Sequence, residues 1–222
     1  MVDEHLTDLA QWQEDLRACT ACSLCQEGNR GPTSYSGDPK SPLMIVGEGP
    51  GGVEDQYGVP LVGPSGQLLD KALWSVGITR DRVYVTNIVK CRPRNNRTPT
   101  LAEGKFCADK ILAQEIQILR PHVIIALGKV AFQYFYGQPA SIMRGRGTWI
   151  SWHGIPVMPT FHPAFLLRLH GREEVEHKWN VYYDLKAAKE KALTFAPDYQ
   201  FNSGAPVNLL EIYANRKAER TF

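Results

Sequence analysis

Long hydrophobic runs are missing from this chain. The longest unbroken aliphatic stretch, Val123 to Leu127, is far shorter than the ~20 apolar residues a membrane-crossing helix needs. The opening Met1-Val-Asp-Glu-His carries acid and no apolar run. No membrane partner and no export are therefore expected, and the cytoplasm is the expected location. Large net charge is missing too: +2 over 222 residues rules out a uniformly basic or acidic surface. No internal repeat is visible, which excludes solenoids and propellers. There is no G-K-[ST] phosphate loop, and the H-x-E with P-C-x-x-C pattern of zinc base deaminases is absent. What is present, 43% hydrophobic and 22% charged residues, suffices for a full core. One domain is expected over residues 1–195, followed by an extension, 196–222, to which the sequence assigns no role.

Cysteine is scarce, five in all, and its placement is informative. Cys19 and Cys22 stand near the start, and Cys91 and Cys107 lie mid-chain. Thiolates gathered from distant stretches of a reduced chain ligate zinc or an iron–sulfur cluster. Cys25 extends the first group to C-x2-C-x2-C and is ranked as a bystander.

Charge is uneven although its sum is small. Arg80, Arg82, Lys90, Arg92, Arg94 and Arg97 face only Asp81 within their stretch, and residues 144–172 hold four arginines, three histidines and no acid. Two basic stretches on a near-neutral chain point to a localised anionic partner, with nucleic acid first among candidates.

Apolar residues at Leu6, Leu9, Trp12 and Leu16 predict an opening helix that delivers Cys19 and Cys22 from its C-terminal end. Short aliphatic strands are expected at 43–46, 83–86, 123–127 and 155–160. Helices are expected from a Ser65 cap to Gly77, from a Thr100-Leu-Ala-Glu103 capping box to Pro121, over 129–136, and over about 179–193. Strands alternating with helices imply a three-layer α/β/α fold around a central, mainly parallel four-stranded sheet.

Ligands of such sheets bind beyond the carboxyl ends of the strands, where Glu48, Asn87 and His162 fall. The run Gly47-Glu-Gly49-Pro-Gly-Gly52 satisfies G-x-G-x-x-G, but Gly58, Pro60, Gly63 and Pro64 are expected to break the helix that a dinucleotide site requires. Its glycines still allow backbone to approach a flat ligand closely.

Several blocks in fixed order then carry a resemblance. Gly47-Glu-Gly-Pro-Gly51, Glu54-Asp55 and Gly58-Val-Pro-Leu-Val-Gly-Pro-Ser-Gly66 are similar to the first motif of the family 4 uracil-DNA glycosylases. Asn87 through Pro99, and His162-Pro-Ala-Phe-Leu-Leu-Arg168, resemble its second and third motifs. The resemblance implies excision of uracil from single- or double-stranded DNA by a monomer. It implies Glu48 and His162 as catalytic residues, with Glu54 as a second carboxylate, and Gly47, Gly49, Leu61 and Asn87 around the base. Arg92, Arg94, Arg97, Leu167 and Arg168 would meet the DNA, and Cys19, Cys22, Cys91 and Cys107 would hold a [4Fe–4S] cluster. Two departures stand out. Leu61 occupies the place of the family's stacking phenylalanine, which implies a slower reaction or a broader pocket. No histidine occurs from Arg92 to Thr100, so turnover is expected instead of the trapped adduct of a related branch. An iron–sulfur nucleic-acid-binding protein without glycosylase activity is the alternative.

Overall fold

The computed structural model describes residues 4–206 together with 208, 209, 211 and 212. The expected extension therefore lies partly outside the described residues. Four parallel strands form the centre of the sheet: β2 (Leu43–Gly47), β3 (Tyr84–Asn87), β4 (Val123–Leu127) and β6 (Ile155–Thr160). All four were legible in the sequence. The sheet nonetheless has six strands, because short antiparallel strands close both edges of the central β3-β2-β4-β6. These are β1 (Ser36–Gly37) on β3 and β5 (Ile150–Trp152) on β6. The expectation of four strands is corrected on this point. Two- and three-residue edge strands bury no continuous face and so lack the alternation that reveals longer ones. The β5–β6 turn runs through His153 and Gly154, both with positive φ, which is hairpin geometry without the usual Asn-Gly signal.

Alternation along each central strand sends side chains to two cores. Leu43 and Ile45 face one side with Val85 and Ile125, while Met44 and Val46 face the other with Tyr84 and Ile124. Each such fully buried aliphatic side chain contributes about 1.5–3 kcal/mol. The first side packs α3 (Pro64–Ser75), α8 (Pro163–Leu166) and α9 (Gly171–Phe195). On the second side lie α1 (Glu4–Arg17), α4 (Leu101–Cys107), α5 (Ala113–Leu119) and α6 (Gly128–Tyr136). A π-helical turn, Ala108–Leu112, joins α4 to α5. The short α2 (Gly52–Tyr57) and α7 (Ile142–Gly145) lie in the connections at the site.

Several boundaries differ from expectation. A helix does open after the glycine run, but α2 ends after six residues at Gly58. Gly63, not Ser65, caps α3, and Pro64 takes its first turn, where a missing N–H does no harm. The long α9 begins about two turns before residue 179. The Thr100 capping box forms as read: its hydroxyl accepts from the Glu103 amide and the Glu103 carboxylate reaches back to the Thr100 amide. After α9, the Thr79 amide donates to the Phe201 carbonyl at 2.8 Å and Phe201 is buried beside α3 and α9.

Candidate active site

Because β2, β3, β4 and β6 are parallel, their carboxyl ends share one edge. Gly47 pairs across the sheet with Asn87, and Leu127 with Thr160. Glu48 follows the first of these strands, Gly128 the third and His162 the fourth. Beyond the edge opens a cavity of about 820 Å³ lined by Glu48, Gly49, Leu61, Phe161, His162 and Arg168, among others.

Asn87 lies one layer below this lining, 1% exposed, and neither its amide nitrogen nor its amide oxygen has a hydrogen-bond partner. A buried amide left unpaired costs about 1–3 kcal/mol per group, so an orphan beneath a cavity calls for a functional reason. Gly47 makes its position possible: a Cβ there would stand 2.4 Å from the Asn87 Oδ1 and 3.4 Å from a Leu61 methyl. Leu61 itself holds a left-handed backbone, φ 52°, which costs a non-glycine residue about 1–2 kcal/mol. Arg80 sustains that turn, since its buried guanidinium donates to the Pro60 and Leu61 carbonyls at 3.0 and 2.9 Å and to Asp70 at 2.8 Å.

His162 caps α8: its Nδ1 accepts from the Ala164 amide at 3.1 Å. The proton of the neutral ring therefore sits on Nε2. Burial, with the nearby Arg168 charge, pushes its pKa down to about 4, so the ring is neutral near pH 7. Gly128, with φ 83°, lets the histidine sit against β4, because a Cβ there would be 2.8 Å from the His162 Cβ. Glu48 is half-buried. Desolvation raises its carboxyl above the ordinary range, opposed by a hydrogen bond from Thr98 and by the charge of Arg168. Glu54 is placed differently. One of its oxygens accepts from the Val62 and Gly63 amides at 3.0 and 2.7 Å, and the other from Gly51 at 3.1 Å. Its carboxylate thereby ties the two loops that flank the cavity.

Several charges of the two basic stretches are committed to partners inside the fold. Arg80 is buried in the pair just described. Lys90, 1% exposed, is paired with Glu115 at 2.5 Å, and Glu115 also accepts from Tyr84 and Thr86. Arg146 is paired with Asp184 behind Phe161. Arg97 donates to Glu103 at 2.7 and 2.8 Å and to Glu27 at 2.5 Å, which holds the Glu103 carboxyl down to about 2. Arg92 is half-buried, donating to the Asn96 side chain at 2.7 Å near the start of α2. Arg94, Leu167 and Arg168 are exposed.

The cysteines come together on the α1 side of the sheet. Cys91 and Cys107 are buried, and Cys19, Cys22 and Cys25 pack against the same core. Burial pushes the Cys91 thiol up to about 12 and that of Cys107 to about 11, and both feel the neighbouring Cys19 and Cys22. Among the described residues no group of cysteine, histidine or acidic side chains is arranged for a metal ion. The donor set of thiols from three segments still suits an iron–sulfur cluster, which spreads its ligands wider than one ion does. Cys25 donates to the Cys22 carbonyl at 2.8 Å.

Thr98, Gly128 and the buried Arg80 support the site without having been identified from sequence. Gly128 directly after a strand was the available signal. Thr98 had none, because its role depends on a loop crossing back over Glu48.

The model of the uracil DNA glycosylase superfamily matches residues 34–186. A type-4 uracil-DNA glycosylase of Thermotoga maritima is 45% identical over 162 residues, covering 72% of this chain and 83% of that protein. One from Archaeoglobus fulgidus is 34% identical over 202 residues, 86% and 98% of the two chains. A third, from Pyrobaculum aerophilum, is 38% identical over 172 residues, 72% and 85%. The chain belongs to the type-4 uracil-DNA glycosylase family.

Proposed function

We propose that the protein excises uracil from DNA by hydrolysing its N-glycosidic bond, leaving an abasic site. The observation that carries this reading is the orphaned amide of Asn87 beneath a cavity bordered by Glu48 and His162. A base inside a duplex is out of reach, so the nucleotide must leave the stack and enter past Leu61. Asn87 then accepts from uracil N3–H and donates to O4. Cytosine presents the opposite pattern and would leave the amide unpaired.

As the C1′–N1 bond breaks, its electron pair passes to the base and charge gathers on O2. The Nε2–H of neutral His162 donates to that oxygen, and a preorganised donor of this kind gains strength as the charge develops. Glu48, ionised, offsets the cationic sugar and orients the water whose oxygen bonds to C1′; the water's proton leaves to solvent or to the departing base. Glu54 is assigned to holding the loops around Gly51 and Gly63 in place, with Gly47 and Gly49 clearing room for the base. Arg92, Arg94 and Arg168 meet phosphates and Leu167 enters the stack, whereas Arg97, committed to two carboxylates, acts by bracing the loop between Cys91 and Cys107.

Cys19, Cys22, Cys91 and Cys107 would hold a [4Fe–4S] cluster, with Cys25 outside its ligand set. Such a cluster would supply a rigid cross-link among three chain segments and no step of the hydrolysis. The protein is read as a cytoplasmic monomer; among the described residues no helix is long and apolar enough to cross a membrane. The chemistry lies within residues 1–195; of the extension 196–222, Tyr199 and Phe201 pack onto the domain without lining the cavity.

The test is release of free uracil and formation of alkali-labile sites in single- and double-stranded oligonucleotides. Binding without cleavage on both would overturn the reading in favour of a nucleic-acid-binding protein.

A further inference from the structure

A second cavity, about 1380 Å³, runs between α4–α5 and α6, down to the β5–β6 turn. It is larger than the cavity at the strand ends and adjoins it, since Thr98, Pro99 and Lys129 border both. Its length follows β4, from Lys129 just past the strand's carboxyl end to Pro121 just before its start, roughly 17–20 Å. A groove of that extent exceeds what a single small molecule fills, about 300–1,000 Å³, and suits a polymer.

Its lining is chemically mixed in a way that narrows the occupant. Asp109 is the one acidic residue in the lining, and it is engaged by Lys105 at 2.5 Å and by the Tyr134 hydroxyl at 3.3 Å. Arg120 and Lys129 are exposed and have no ion pair among the described residues. The wall between these charges carries Tyr134 and Trp152. The Trp152 ring is held edge-on by Phe135 at 5.5 Å and by His153 at 4.5 Å. Rings fixed by their neighbours, with cations at intervals, are the elements with which proteins bind a single nucleic-acid strand irrespective of sequence.

We propose that this groove holds single-stranded DNA flanking the extruded uracil on one side, so that the protein engages more substrate than the nucleotide it cleaves. The inference rests on the uracil-excision reading given above. The strand leaves the cavity past Pro99 and Lys129, its bases lie against Trp152 and Tyr134, and Arg120 meets a phosphate at the far end. Stacking on these rings requires unpaired bases, so the contribution belongs to single-stranded or locally opened DNA.

The test compares uracil-containing single-stranded oligonucleotides with minimal flanks against others extended by about ten nucleotides on the 5′ or the 3′ side. In the native protein, extension on one side tightens binding about tenfold and extension on the other does not. Trp152→Ala and Arg120→Glu each abolish most of that gain while excising uracil from the minimal substrate at the native rate, which also shows that they fold. The inference is overturned if flank length has no effect, or if both variants keep the full gain, as they would were the groove a seat for a partner protein. Loss of uracil release from every substrate by the native protein would instead overturn the underlying reading.

Discussion

His162 and Glu48 face the same cavity with opposite electrostatic requirements. The histidine must be neutral with its proton on Nε2, and burial together with Arg168 secures this down to about pH 4. The carboxyl must be ionised, yet burial raises its pKa. Under the proposed hydrolysis Glu48 is expected to set the acid limb of the rate, above the ordinary glutamate value of 4.5. Arg168 favours the ionised carboxylate, so Arg168→Ala moves the acid limb to higher pH. Single-turnover rates at saturating DNA across pH 4–8 read this directly, and an unmoved limb would contradict it. Stability follows the same groups. Between about 4 and 6.5 the unfolded chain binds a proton at His162 that the folded chain refuses, so His162 makes folding less favourable as pH falls through that window. In His162→Gln, thermal melts should lose that part of the slope; an unchanged slope would mean the ring is not held neutral.

At the scale of elements, the loops around the cavity depend on buried polar anchors. Arg80→Met leaves Asp70 unpaired and frees the carbonyls of the strained Pro60–Leu61 turn. A destabilisation of about 3 kcal/mol is expected in denaturant titrations, with a rise in KM as Leu61 relaxes; stability within about 0.5 kcal/mol of native would contradict the anchoring role. Arg94 and Arg97 stand three residues apart and should separate cleanly. Arg94→Ala lowers the slope of log Kd against log salt by about one, as loss of one phosphate contact does. Arg97→Ala leaves that slope in place and loosens the loop, seen as faster amide exchange between Cys91 and Cys107. Equal salt slopes for the two variants would refute the division.

These anchors also mark the limit of what was legible. The central strands and the Thr100 cap could be read from short aliphatic runs and capping chemistry because both are local. Arg80, Lys90 and Arg146 looked like a surface for an anion, since sequence shows their charge but not Asp70, Glu115 and Asp184 brought to them from other elements. The edge strands escaped notice for lack of a buried face. The placement of Glu48, Asn87 and His162 at one edge was legible because each stands at or just past the carboxyl end of a strand, and parallel strands end at one edge. That Asn87 lies beneath the lining and not within it required the packing of Gly47 and Leu61.

Over the whole molecule, one side of the sheet carries the cysteines and the other the long α9, with the cavity at the shared edge. A cluster held as proposed would tie α1, the Cys91 loop and α4 together, so Cys91→Ser is expected to lose visible iron–sulfur absorption and melt at lower temperature. Unchanged absorption would remove Cys91 from the ligand set. The most direct measurement of the central claim is the single-turnover rate of uracil release by Asn87→Ala, taken beside its affinity for the same oligonucleotide. A rate about a hundredfold lower with affinity near native is expected, because the amide acts only on the extruded base. A rate close to native, or an equal collapse of rate and affinity, would contradict the convergence of Glu48, Asn87 and His162 on one base.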